Sequence, residues 1–205
     1  MPEMTIAGDR LPNCYRCGKS PCECAASKGI GGHTKAFRGT SDDWITPKAI
    51  VDALGPFDLD PCACTPQPWP CATRSYTIHD NGLIQPWFGR VWLNPPYGPR
   101  AAPFLEKMVE HGNGIALMFA RTETAMFHKH VWPFADGLLF LEGRLHFCHP
   151  DGRRAKGNSG GPSVLIAFGH RNVQALMCPE LDGAFVVPSD SQAIAAERLR
   201  QEVMF

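Results

Sequence analysis

Residues 91–98, with the sequence VWLNPPYG, carry the side chains best suited to chemistry. The apolar start predicts a short buried strand, and the two prolines end it at Asn94 because proline cannot continue a hydrogen-bonded ladder. Proline also donates no N–H, which leaves the carbonyl of Pro95 free to accept a hydrogen bond beside the amide oxygen of Asn94. In an open α/β sheet, ligands bind just past the carboxyl ends of strands. Two acceptors beside the flat ring of Tyr97 therefore favour a planar substrate group that carries an NH2.

Apolar runs and helical patterns on both sides of this segment predict an α/β fold. A helix is predicted to begin at Thr46 and Pro47, and helical spacing recurs at residues 102–111 and 126–134. The runs with strand character are residues 57–63, 76–78, 91–94, 114–120, 138–147 and 163–169, the last of these being the final core strand. Only about 20 residues separate Asp60 from the next acidic turn, too few for a full βαβ crossover. We expect a mostly parallel sheet whose second and third strands are abbreviated.

Composition and charge narrow the class of protein. The chain has 205 residues, 44% of them hydrophobic, which suits one domain with a packed core and a small appendage. The formal net charge is zero, so any surface that binds nucleic acid must be local. No apolar run reaches the length of a membrane span and the first residues do not resemble a signal peptide, which predicts a cytoplasmic protein with no membrane partner. In that compartment the nine cysteines are expected as thiols or metal ligands, not as disulfides.

Residues 1–40 differ in composition from residues 41–205, and we predict a Cys-rich segment with its linker followed by one globular domain. Four cysteines in this first segment have the paired spacing of a small structural zinc site: Cys14, Cys17, Cys22 and Cys24. Only one residue separates the second pair, which is unusual, and His33 could replace one of the sulfur ligands. The alternative is a tail with incidental thiols.

Six motifs stand in one order along the chain: Trp44-x-Thr46-Pro47, Leu59-Asp60-Pro61-Cys62-Ala63, Asp80-x-Gly82-Leu83, Trp92-Leu93-Asn94-Pro95-Pro96-Tyr97, Ala120-Arg121-Thr122-x-Thr124 and Gly143-Arg144-Leu145-x-Phe147. In these motifs and their order, the chain resembles the compact, phage-type DNA N6-adenine methyltransferases over most of its globular part. The tetrad alone also occurs in enzymes that methylate a protein glutamine, whereas the whole set is much more specific. The resemblance implies a compact Rossmann-like methyltransferase fold with an abbreviated cofactor half.

The resemblance also implies roles for individual residues. The catalytic tetrad is Asn94, Pro95, Pro96 and Tyr97, which would hold the N6 amino group of an adenine extruded from the duplex. S-adenosylmethionine is the implied cofactor, with contacts expected from Trp44, Thr46, Pro47, Asp60, Pro61, Cys62 and Asp80. DNA is the implied partner, with contacts expected from the strand-end motifs and from the basic loop 148–162, at Arg121, Thr122, Thr124, Arg144, Arg153, Arg154 and Lys156. A phage-encoded chain of this family is expected in the host cytoplasm.

Several alternatives stay open at the level of the sequence. The turn at residues 62–66, CACTP, lacks the glycines usual in the family, so the chain could be an inactive DNA-binding relic. Cys62, Cys64 and Cys71 could mark a second metal site, although a turn of small residues is the better interpretation. Asp80 could belong to an ordinary surface turn, and the basic loop could simply be solvated. The same site could also methylate N4 of cytosine or the amide of a protein glutamine.

Overall fold

The structure is a computed structural model, and it describes residues 44–188. The strands of that range are β1 (Leu59–Asp60), β2 (Arg74–Ser75), β3 (Val91–Leu93), β4 (Gly114–Phe119), β5 (Gly137–Leu141), β6 (Ser163–Phe168) and β7 (Gly183–Val186). The helices are α1 (Lys48–Leu54), α2 (Ala101–His111), α3 (Ala125–His130) and α4 (His170–Leu176), and a 3-10 turn at Gly98–Arg100 leads into α2. The seven strands form one sheet in the order β2-β1-β3-β4-β6-β5-β7, so the described part of the chain is a mixed α/β domain.

The sheet divides into a parallel half and an antiparallel half. β2, β1, β3 and β4 pair in parallel. β6 pairs antiparallel with β4 and β5, and β7 pairs antiparallel with β5. The prediction of a mostly parallel sheet is therefore wrong. The physical reason lies in one connection: residues 142–162, between β5 and β6, contain no helix, and strands joined without a crossover helix pair antiparallel.

The parallel half is short at its outer edge, in agreement with the short connection seen in the sequence. β1 and β2 have two residues each. Pro61 follows β1 directly, and it cannot extend the ladder because it donates no N–H. β2 lies just before the predicted strand at residues 76–78, so the abbreviation was predicted but the position was not.

Two other boundaries and one further strand differ from the sequence prediction. β5 ends at Leu141 instead of Phe147, because Gly143 adopts a left-handed φ of 71° and turns the chain away. α3 ends at His130, before the predicted residue 134. β7 is not predicted from the sequence, and it follows β6, which is the last strand that is fully buried. The residues of β7 are mostly exposed, so they carry no clear apolar periodicity.

Helices cover both faces of the sheet. On one face, Leu93 of β3 packs in a core with Leu105 of α2 and Phe127 of α3. On the other face, the neighbouring Trp92 packs with Leu54 of α1 and with residues of α4. This two-sided burial explains why the strand before the tetrad is a continuous apolar run. None of the described helices has the length and apolar character needed to cross a membrane.

Candidate active site

A cavity of about 430 Å³ opens at the carboxyl ends of β1 and β3. From β1 the chain passes to β2 on one side while β3 lies on the other side, so the loops after β1 and β3 diverge and leave a crevice. The turn 61–64, parts of the loop 77–83, the tetrad 94–97 and the side chains of Trp44, Arg100 and Phe104 form the walls. The tetrad and parts of three other motifs, which are far apart in the sequence, thus meet at one cavity.

Asn94 presents a free acceptor at this cavity. Its Nδ2 donates a hydrogen bond to the backbone carbonyl of Trp44 at 3.1 Å, which identifies the orientation of the amide because a carbonyl can only accept. The Oδ1 atom is buried and has no hydrogen-bond partner. A buried acceptor without a donor costs on the order of 1–3 kcal/mol. A ligand that brings an N–H to Asn94 would remove this cost.

Tyr97 is held between aromatic neighbours. Its ring stacks on Phe119, with centroids 4.3 Å apart and planes inclined by 16°, and Phe147 meets its edge at 6.1 Å. The phenol oxygen is buried without a partner, and burial raises the pKa of Tyr97. The phenol end therefore points into the protein, and Tyr97 is one of the residues that line the cavity. The contact with Phe119 was not foreseen from the sequence, although the end of its strand was predicted at the functional edge of the sheet.

Asp60 lies behind the cavity wall, not on it. Its side chain is 4% exposed and accepts hydrogen bonds from the Cys62 N–H at 2.9 Å and from Gln67 Nε2 at 3.5 Å. Burial raises the pKa of Asp60 to about 7, and the two hydrogen bonds oppose that shift only in part. The same burial raises the pKa of the neighbouring Cys62 thiol. Asp60 thus shapes the turn after β1, whereas Pro61 and Cys62 line the cavity directly.

The predicted Thr46-Pro47 segment borders the site through the first of these residues. Pro47 caps α1, and the carbonyl of Thr46 accepts a hydrogen bond from Trp69 Nε1 at 3.2 Å. The Thr46 side chain is 1% exposed, and its hydroxyl has no partner. Thr46, Asp60 and Asn94 surround a second cavity of about 10 Å³, the size of one water molecule. Pro47 lines neither cavity; its role near the site is to start α1.

Asp80 does not line the cavity. Its carboxylate accepts hydrogen bonds from the backbone N–H and the hydroxyl of Thr77, both at 2.8 Å, and these bonds lower the pKa of Asp80. Thr77 and Ile78 contribute to the cavity wall instead, and Ile78 is 86% exposed at its rim. The motif in the sequence indicated the carboxylate of this loop and gave no indication of Thr77 and Ile78. Residues 76–78 were predicted as a strand, and their sequence pattern did not indicate that they lie after β2 instead.

Gly82 allows the loop after β2 to pack directly on the turn after β1. A Cβ atom at this position would collide with the carbonyl oxygen of Pro61, so only glycine permits the contact. Lys107 of α2 fastens the same loop, because its Nζ donates to the carbonyls of Leu83 and Gln85, each at 2.6 Å. Sequence reasoning missed Lys107, since a single lysine on a helix gives no signal of a backbone partner.

The motif at the end of β4 has a structural role in this fold. The hydroxyl of Thr124 accepts a hydrogen bond from the Phe127 N–H at 3.3 Å and donates one to the carbonyl of Arg121 at 2.8 Å, which caps α3. The carbonyl of Thr122 accepts from Trp132 Nε1 at 3.4 Å. The hydroxyl of Thr124 is therefore engaged within the protein, although the sequence analysis placed it among the DNA contacts.

The basic loop 148–162 is folded against the site. Isolated bridges join Cys148 to Ile45 and to Arg154, and Gly152 packs near Trp69. The basic side chains of this loop are exposed, and Arg153 pairs with Asp151 at 2.6 Å. The exposed Arg144 precedes the loop and donates a hydrogen bond to the Ser159 carbonyl at 3.4 Å. The predicted positions Arg144, Arg153, Arg154 and Lys156 are thus at the surface, on and beside one loop.

The four cysteines proposed as zinc ligands, Cys14, Cys17, Cys22 and Cys24, lie outside the described residues, and the zinc hypothesis rests on the sequence alone. Among residues 44–188, no group of three or more His, Cys, Asp or Glu side chains is arranged to hold a metal ion. Cys62, Cys64 and Cys71 are free thiols in that range.

Comparison with protein-family models finds a match described as DNA N-6-adenine-methyltransferase (Dam), over residues 33–178. That range covers well over half of the chain and includes all six of the ordered motifs from Trp44 to Phe147. No curated protein and no solved structure matches the sequence.

Proposed function

The chain is a member of the DNA N-6-adenine-methyltransferase (Dam) family, and we propose that it transfers a methyl group from S-adenosylmethionine to the exocyclic N6 of adenine in DNA. One observation carries the proposal: the buried, unpartnered Oδ1 of Asn94, a residue that lines a cavity of sufficient size. A substrate amino group would supply the missing donor. The backbone of Pro95, which lines the same cavity, offers a second acceptor.

The residues at the cavity fit the cofactor that this family uses. A volume of about 430 Å³ lies within the usual range of small-molecule sites. The walls combine the backbone of the turn 61–64 with the apolar side chains of Ile78, Leu83 and Phe104. S-adenosylmethionine supplies an electrophilic methyl group on a sulfonium sulfur. The cavity is open beside the turn even though the turn has no glycine, which argues against an inactive relic.

The parallel half of the sheet, from β2 to β4, has the order expected of the cofactor half of a Rossmann-like methyltransferase. We interpret the cavity at its switch point as the cofactor site on that basis. Pro61 and Cys62 would contact the cofactor, while Asp60 holds their turn through the Cys62 N–H. The proposed contact from Asp80 would require its carboxylate to leave Thr77.

The target adenine must leave the duplex before its amino group can reach this site. In the proposed complex, Asn94 Oδ1 and the Pro95 carbonyl accept hydrogen bonds from N6, which directs the nitrogen lone pair toward the methyl group. Tyr97 would stack on the extruded ring. Acceptors that are already positioned before the substrate arrives accelerate a reaction because they need no reorganisation during it. Positioning is therefore the main contribution of the protein.

The basic residues around the loop 148–162 are proposed to contact the DNA backbone. Arg144, Arg154 and Lys156 are exposed, and the exposed ion pair of Arg153 with Asp151 is weak enough to be exchanged for a phosphate. Arg121 at the end of β4 is a further proposed contact. Binding through these cations should weaken as the salt concentration rises.

The test is to express the protein in cells that lack adenine methylation and to analyse their DNA nucleosides by mass spectrometry. We expect N6-methyladenine with the wild type and a loss on the order of 100-fold or more in the rate with Asn94→Ala. Gln174→Ala is the matched control, because it removes an exposed amide of α4 outside the cavity. N4-methylcytosine alone, or methylation of protein alone, would replace the adenine assignment. A near-normal rate with Asn94→Ala would show that the tetrad is only a turn.

A further inference from the structure

The Tyr97 ring is held on one face by Phe119, a residue to which the sequence motifs and the proposed reaction assign no role. The two rings lie 4.3 Å apart and are almost parallel, with an angle of 16° between their planes. Tyr97 follows β3, whereas Phe119 is the last residue of β4. The contact therefore joins the carboxyl ends of two neighbouring parallel strands.

Phe119 has a fixed position of its own. In the β4–β6 ladder it stands opposite Ser163, and the next residue, Ala120, donates its N–H to the Pro162 carbonyl at 2.8 Å. Gly161 lies against the ring, and a Cβ atom added there would be 3.4 Å from two of the ring carbons. A Cβ atom at that distance would make only ordinary van der Waals contact with the ring, so it is the ladder that fixes the backbone carrying Phe119.

This arrangement limits how a base can meet Tyr97. One face of the tyrosine ring is covered by Phe119, and the phenol oxygen is buried away from solvent. Tyr97 is nevertheless one of the residues that line the larger cavity. Because stacked rings share one plane orientation, a base that stacks on the remaining face would take its orientation from Phe119 through Tyr97.

We propose that Phe119 is a positioning residue for methyl transfer: it sets the plane of the Tyr97 ring and covers one of its faces, which leaves the other face for the target base. The inference rests on the proposed function, since it concerns the orientation of the methylated base. Misorientation of reacting groups lowers the rate of the chemical step more than it lowers binding of the cofactor. The effect of Phe119 should therefore appear in kcat and not in the affinity for S-adenosylhomocysteine.

The experiment compares Phe119→Leu, which keeps an apolar side chain but removes the ring, with Phe119→Tyr, which keeps the ring. Phe134→Leu is the control, because Phe134 is an aromatic residue that is 42% exposed and does not line the cavity. We expect Phe119→Leu to lower kcat for DNA methylation roughly two- to tenfold, the range that one aromatic pair supports. Phe119→Tyr and Phe134→Leu should stay close to the wild-type kcat. Affinity for S-adenosylhomocysteine, measured by calorimetry, should be unchanged in all three variants.

A double-mutant cycle with Tyr97→Leu tests whether Phe119 acts through Tyr97. If it does, Phe119→Leu causes no further loss once the tyrosine ring is absent. Independent losses that multiply would overturn the inference, as would failure of Phe119→Tyr to restore kcat or a parallel loss of cofactor affinity in Phe119→Leu. If Tyr97→Leu has no measurable turnover, the restoration by Phe119→Tyr and the cofactor affinity decide the question. Absence of methylation by the wild type would instead overturn the proposed function, and this inference with it.

Discussion

Replacing Asp60 with asparagine should stabilise the folded protein more at about pH 8 than at about pH 5. The carboxyl is 4% exposed, and burial raises its pKa from 3.8 to about 7. A carboxyl whose pKa is higher in the folded state stabilises folding below its unfolded pKa, and that contribution is lost as the pH rises through about 7. Near pH 5 the folded state keeps a proton that the unfolded state has already lost. With a tenfold change in proton affinity worth about 1.4 kcal/mol, the loss between pH 5 and pH 8 is roughly 2–3 kcal/mol.

The asparagine side chain keeps an oxygen that can accept the Cys62 N–H, so the turn after β1 is preserved while the charge is removed. The assay is urea unfolding of the wild type and of Asp60→Asn at both pH values, and the measured quantity is the change in their stability difference with pH. Asp52→Asn is the control, because its exposed carboxylate on α1 makes only a surface ion pair with Lys48. A stability difference between Asp60→Asn and the wild type that is the same at both pH values would refute the reasoning from burial.

Three further outcomes are expected. Gly82→Ala should cost on the order of 1–3 kcal/mol in stability and weaken binding of S-adenosylhomocysteine, because the new Cβ would displace the loop from the Pro61 carbonyl; unfolding curves and calorimetry measure both. Lys107→Met should weaken the same binding roughly threefold or more, since it removes the donor to the Leu83 and Gln85 carbonyls, and an unchanged Kd would contradict this role. Thr124→Ala should destabilise the protein by about 1 kcal/mol through loss of the α3 cap, while Thr124→Ser should not; an effect of Thr124→Ala on DNA binding alone would instead support the contact to DNA.

The candidate site combines features that favour stability with features that oppose it. The strand before the tetrad is fully buried, with Val91, Trp92 and Leu93 each at 0% exposure. At its end, however, Thr46 and Asn94 keep buried oxygens without partners. Buried polar groups are normally paired, so unpaired groups gathered at one cavity are the sign of a ligand site. The rigid strand holds these groups in place at a free-energy cost that the proposed substrate would relieve at Asn94.

Local signals in the sequence determined the elements that carry the tetrad. Proline cannot continue a ladder, and this rule alone placed the end of β3 within one residue of Asn94. Helical spacing up to Gly112 predicted α2 to within one residue of its observed bounds. The same rules predicted β4 and β6, because both are long apolar runs buried on two faces. The family membership also followed from the sequence, since it depends on short motifs and their order.

Tertiary structure decided the direction of the strands and the partners of the polar side chains. A strand with little burial, such as β7, has no periodic apolar pattern in its sequence. The sequence of a loop without a helix likewise does not show which strands will pair in the sheet. The hydroxyl of Thr124 and the carboxylate of Asp80 form hydrogen bonds with backbone and side-chain groups of their own turns. The presence of these residues in a motif therefore did not show whether they cap a turn or contact a ligand. For Asn94, the sequence position did indicate an acceptor. Only the tertiary structure shows how its oxygen stays free: the amide nitrogen donates to the Trp44 carbonyl, fifty residues away, and this bond fixes the orientation of the amide. Contacts between distant segments depend on packing of the whole sheet, and no local pattern records them.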